Sequence, residues 1–193
     1  TVAKLSGKLS LSKGLDGQID GDISAQQLGG DFPVLNDADL SGTVQKEKIR
    51  QLHVQLKGKK AAHTLQAEVA FSSKQQLNLA ADGALSAGAK NDLRHWEWKG
   101  QLQSLALTGK PDLRLVSPAS LQITPDSLRL GSLQLQSEMA KLTLDQFEWL
   151  PGTLTTKGSL SDVRLLDVVN LFRPQYTVTG NLKLNAKWDL QLK

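Results

Sequence analysis

The chain has 193 residues and a formal net charge of +4, and it is 39% hydrophobic but only 5% aromatic. With no cysteine, a disulfide scaffold, a thiolate metal site and a cysteine nucleophile are excluded. No stretch approaches the roughly 18 consecutive apolar residues of a membrane-spanning helix, and charge of both signs is interspersed along both halves, which reads as solvation of polar faces.

Leu5, Gly7, Leu9 and Leu11 alternate with polar residues, a Lys13-Gly14 turn follows, and Leu15, Gly17, Ile19, Gly21, Ile23 and Ala25 alternate again. A period of two puts successive side chains on opposite faces of a strand, so a hairpin is expected here. Gly29-Gly30 and Phe32-Pro33 break the pattern, Asn36-Asp37 marks a turn, and Leu40, Gly42 and Val44 form the next strand. Leu52 to Leu56, Leu65 to Phe71 and Leu77 to Leu85 follow, separated by turns at 57–60 and Ser72-Ser73. Residues 86–95 are loop-like and form the candidate internal boundary of one otherwise continuous unit.

Trp96, Trp98, Gly100 and Leu102 resume the alternation, and Leu105 and Leu107 continue it one register later, which predicts a bulge near Gln103-Ser104. Short leucine pairs follow at 113–115, 121–123, 128–130, 133–135 and 142–144, and a longer alternation runs from Leu154 to Leu160. Residues 161–172 differ. Their apolar positions recur with helical spacing, Ser161 is a candidate N-cap and Pro174 a stop, so one short amphipathic helix is expected. The last stretch, Thr177 to Lys193, alternates throughout and reads as one long strand. The expected class is all-β: about 13 short strands in a long, curled, mostly antiparallel sheet that forms an open apolar groove, with the single helix near 161–172. The pattern is open at both ends, which suggests a segment of a longer repetitive protein with two free sheet edges.

Chemistry is sparse. His53, His63 and His95 stand near turns or strand ends with no second histidine or carboxylate at ligand spacing, and read as surface histidines. Asp16, Asp20 and Asp22 share one strand face without the glycine spacing of a calcium loop. A basic run from Lys46 to Lys60 has no interleaved aromatics, which argues against nucleic acid. No phosphate cradle or nucleophile elbow is present. Nothing calls for a cofactor, a metal or an enzymatic reaction. Trp96 and Trp98 share a parity and Trp188 sits among leucines, so core or groove lining is the plain reading of the tryptophans.

One ordered set of motifs carries a resemblance: W-x-G-x-L-x-x-L-x-L from Trp98 to Leu107, L-x-L-x-x-P-A-x-L from Leu113 to Leu121, then G-x-L-x-x-x-x-L-L-x-x-V, then G-x-L-x-L-x-x-x-W from Gly180 to Trp188. Over residues 96–193 the chain resembles the translocation and assembly module (TamB) family of the AsmA-like superfamily. That resemblance implies a periplasmic, taco-shaped β-groove, part of a protein anchored in the inner membrane of a Gram-negative bacterium. It also implies a TamA-like outer-membrane barrel partner and a role in moving phospholipid and assembling outer-membrane proteins. The residues expected to line the groove and meet phospholipid acyl chains are Trp98, Leu102, Leu154, Leu160, Val178, Leu182, Leu184, Trp188 and Leu190. The alternative is a scaffold that lends sheet edges to outer-membrane or autotransporter strands. A carbohydrate-binding β-solenoid would need paired carboxylates beside an aromatic platform, and a structural adhesin repeat remains as a last reading.

Overall fold

A computed structural model describes residues 4–12, 17–33, 46–71, 75–87, 96–109, 112–172 and 179–193. Outside those residues lie the turns expected at Lys13-Gly14, Asn36-Asp37 and Ser72-Ser73, the strand at Leu40 to Val44, most of the boundary at 86–95, and His95, Pro174, Thr177 and Val178. The described chain is all-β. Its strands are β1 (Lys4–Leu11), β2 (Gln18–Pro33), β3 (Lys46–Lys59), β4 (Ala62–Phe71), β5 (Gln76–Ala87) and β6 (Trp96–Thr108). They continue as β7 (Leu113–Leu115), β8 (Ala119–Thr124), β9 (Ser127–Leu130), β10 (Leu133–Gln136), β11 (Lys141–Leu150), β12 (Thr153–Arg164) and β13 (Lys183–Leu192), with one helix, α1 (Leu165–Phe172), before the last.

All 13 strands belong to one sheet. Every pairing is antiparallel, and β1 to β6 follow each other as neighbours. The middle looks like a crossover but is not one. β7 and β8 both pair with β6, and β9 and β10 both pair with β11, each in nearly unbroken register. They are two long strands of one hairpin, each interrupted once. The break falls at Val116-Ser117-Pro118 on one side, where proline has no N–H to give a ladder, and at Gly131-Ser132 on the other. Across the break Gly131 N–H donates to the Ser120 carbonyl at 2.8 Å and Val116 N–H to the Gln134 carbonyl at 2.9 Å. The whole sheet is therefore an up-and-down meander.

Register places the apolar parities of all the strands on one face. One row runs Leu9, Gly21, Leu56, Leu65, Ala81, Leu102 and Ala119. The polar parity makes the other face, laced by pairs such as Arg129–Glu148 at 2.6 Å and Lys157–Asp189 at 3.0 Å. Bulges curl the sheet, since each adds local twist and bend. The parity slip in β6 is one of them: Ala80 pairs Ser104 and Ala81 pairs Leu102, leaving Gln103 as the extra residue. Others fall at Arg50, whose Nε donates to the Phe71 carbonyl at 2.9 Å, and at Asp145.

The structure corrects four expectations of the fold. The turn expected at 57–60 falls at Lys60-Ala61, because Lys57, Gly58 and Lys59 stay in β3 and pair with Thr64, His63 and Ala62. The chain through Gly29 and Gly30 stays in β2, with a register shift between Leu28 and Phe32, because β3 remains alongside to pair with it. The helix begins at Leu165, and residues 161–164 finish β12, because Val163 and Arg164 pair with Leu184 and Lys183. Ser161 is therefore a strand residue and no N-cap; helical spacing there loses to a partner strand. The terminal strand is β13 alone, ten residues long. It starts at Lys183, opposite Arg164, where β12 gives way to the helix; the Leu182 carbonyl still accepts the Leu165 N–H at 3.0 Å, and the strand pairing ends there.

Candidate functional site

The apolar face is not evenly filled. Leu102, Ala119, Leu133 and Leu135 form its buried cluster, with Leu79, Leu105, Leu113, Leu115, Leu142 and Leu144 packed around it. Among the described residues no large side chain is fully buried. Beside the cluster lies a cavity of about 280 Å³. At roughly 30 Å³ per water-sized group it has room for about nine.

Ile19 of β2 and Ile123 of β8 line this one cavity. Five strand-to-strand steps separate them in the sheet, which would hold them roughly 24 Å apart if the sheet were flat. The curl brings them to the same space. Leu56, Leu65, Leu85, Trp96, Trp98 and Leu121 complete the wall together with His63.

His63 is 5% exposed, which corrects its reading as a surface histidine. Register explains the burial. His63 sits on the apolar parity of β4, between Gly58 and Gly83, and both neighbours lack side chains. Its Nδ1–H donates to the Lys59 carbonyl at 3.0 Å, and its Nε2 accepts the Trp98 indole N–H at 2.7 Å. Both ring nitrogens are used, as a buried polar group requires. The single polar residue of the wall thus offers nothing to a ligand, and the cavity presents hydrocarbon.

Trp98 lines the cavity, and Leu102 lies in the buried cluster beyond it. Leu154 and Leu160 are half-buried on β12. Trp188 is half-buried and lies over Gly158, its indole N–H donating to Thr156 Oγ1 at 3.2 Å. Leu182, Leu184 and Leu190 are 59%, 48% and 48% exposed along the edge. The opposite edge, β1, exposes Leu5, Leu9 and Leu11 in the same way. The site residues therefore divide between a cavity near the middle of the sheet and an open apolar margin at β13. Sequence reasoning missed Ile19, Leu56, His63, Leu65, Leu85, Leu121 and Ile123 as cavity residues. Their parity was readable; the curl that brings them together was not.

The outer face holds the charge-paired carboxylates. Hydrogen bonds from His53, at 3.2 Å, and from Gln55 hold the Asp22 carboxyl below its usual range. A hydrogen bond from Lys99, joined by one from Gln122, does the same for Glu97. No cluster of three metal-ligating side chains and no helix long and apolar enough to cross a membrane occurs among the described residues. No family model, curated protein or solved structure matches the chain.

Proposed function

We propose that this curled sheet is a stretch of a lipid-carrying groove, holding phospholipid acyl chains against its apolar face while headgroups stay in water. The observation that carries the reading is the cavity between β2 and β8: its lining is apolar, with its one polar residue already satisfied. A polar ligand would find no partner there, and burying it unpaired would cost several kcal/mol. An acyl chain gains about 0.8 kcal/mol per buried CH₂ and needs no partner. The exposed leucines of β1 and β13 carry the same apolar surface to both margins, so chains can pass from the cavity to a neighbouring surface.

The resemblance to the TamB family implies a groove in the periplasm, between inner and outer membranes, with an outer-membrane barrel as partner, and we adopt that setting as part of the proposal. Phospholipid transport in support of outer-membrane biogenesis is the role proposed for this chain. Native mass spectrometry of the purified protein tests the binding. Co-purified phospholipid, released when the cavity is filled by Leu65→Trp, is the expected result. A lipid-free protein that also takes up none from vesicles would refute the reading.

A second reading has its own observation. Among the described residues β1 and β13 are the edge strands of the sheet, with exposed leucines, and such edges can template a foreign strand. A scaffold for outer-membrane strands would bind an extended amphipathic β-peptide at β13 without needing the cavity. Leu65→Trp separates the two functions by abolishing lipid uptake alone.

A further inference from the structure

We propose that His63 and Trp98 set the length of acyl chain that the cavity accepts, with His63 acting as the positioning residue for the indole. The proposal rests on the reading of the cavity as an acyl-chain site and adds its specificity. Trp98 does not stand up from the sheet. Its ring lies down across two glycines, Gly100 of its own strand and Gly83 of β5. A Cβ built at Gly83 would meet Trp98 Cζ2 at 2.5 Å, and one built at Gly100 would meet Trp98 Cη2 at 2.6 Å. The indole therefore occupies the space that two side chains would have filled, and forms the floor of the cavity there.

What keeps it down is the bond to His63. The two rings are tilted by 55° with centroids 6.3 Å apart, and the indole N–H reaches Nε2 at 2.7 Å. Nδ1 faces the Lys59 carbonyl at 3.0 Å, which fixes the tautomer and leaves Nε2 as the acceptor. The other wall residues are Ile, Leu and Trp, so within the wall His63 alone offers the indole an acceptor. A buried indole N–H needs one. With His63 replaced by an apolar residue, the favourable response is for the ring to rotate until its N–H meets water. The hollow over Gly83 and Gly100 then joins the cavity.

The test measures affinity for a series of diacyl phosphatidylcholines of increasing chain length, presented as monomers below their micelle threshold, with circular dichroism confirming that each variant keeps its sheet. In the unmodified protein affinity rises with chain length and then levels off where the cavity is full. His63→Leu and Trp98→Leu should move that plateau to longer chains, each methylene newly admitted tightening binding about fourfold, the equivalent of about 0.8 kcal/mol per buried CH₂. His63→Gln, which keeps an acceptor, should retain the original plateau. The same plateau in the unmodified protein and in either folded leucine variant would overturn the proposal. If the unmodified protein binds no member of the series, the acyl-chain reading itself fails, and this inference fails with it.

Discussion

At the scale of single residues, glycine and tryptophan work as pairs. Trp98 covers Gly83 and Gly100, and Trp188 covers Gly158, where an added Cβ would lie 2.5 Å from its Cζ2. A strand glycine is weak because it packs nothing, and an indole laid across it restores the contact at the cost of one ring. The leucines differ by position. Leu102 is 5% exposed, whereas Leu190 is 48% exposed on the same apolar parity. Leu102→Ala should lose about 2–5 kcal/mol in urea unfolding, and Leu190→Ala should stay within roughly 0.5 kcal/mol. Leu184 is likewise half out in water, so Leu184→Asp should fold and yet interrupt the apolar margin that lipid would follow. Its neighbour Asn185 is not a silent control, because its Oδ1 accepts the Asp162 N–H at 2.9 Å. Gln191, exposed on the polar face, is the better position for a matched charge.

At the scale of elements, the corner between β12, α1 and β13 is held by one strained residue. Asp162 has φ of 54° and lies in the bulge between Leu160 and Val163, a backbone that aspartate tolerates and a β-branched residue does not. Its carboxylate meets Lys183 at 3.1 Å and Lys141 at 3.8 Å. Asp162→Val should destabilise by about 1–3 kcal/mol, read in denaturant unfolding. The hydrogen bond from Lys183 and the charges of Lys183 and Lys141 hold the Asp162 carboxyl below its ordinary value. A carboxyl depressed in the folded state stabilises above its unfolded pKa, and the contribution fades as pH falls through the folded one. Amide exchange at the start of β13 should therefore quicken on acidification below the usual carboxylate range, and Asp162→Asn should remove that pH dependence. A β13 whose exchange is equally acid-sensitive in both proteins would contradict this role. The edge strands carry a separate expectation. β1 and β13 should pair between molecules as concentration rises, seen as a rising sedimentation coefficient, and Leu9→Lys together with Leu190→Lys should suppress it.

These same elements separate what could be read from sequence from what could not. The bulge at Gln103 was legible because a one-residue slip in parity, from Leu102 to Leu105, has one physical meaning on a strand. The start of α1 was not legible. Residues 161–164 carry helical spacing, but β13 supplies a ladder to Val163 and Arg164 through Leu184 and Lys183, which lie beyond the helix in sequence. His63 misled for a similar reason. Its burial depends on two glycines in neighbouring strands and an indole 35 residues on, none of which leaves a local mark.

At the scale of the molecule, thirteen strands joined edge to edge must either hide one apolar face or give it an occupant. Here the curl encloses the middle as a leucine cluster and a cavity and leaves the two margins open. The alternation along each strand made the two faces readable in sequence. The enclosure was not, because it depends on the summed bend of bulges spread over several strands, which brings Ile19 to Ile123. The account stands or falls on what fills the inner face. Leu65 and Gln66 are adjacent in β4, one lining the cavity and the other exposed on the outer face, so a photo-activated crosslinker at each position samples both sides of the same strand. With the protein incubated with phospholipid vesicles, mass spectrometry should find phospholipid attached at position 65 and none at position 66. Equal capture at the two positions, or none at 65 in a folded protein, would contradict the account.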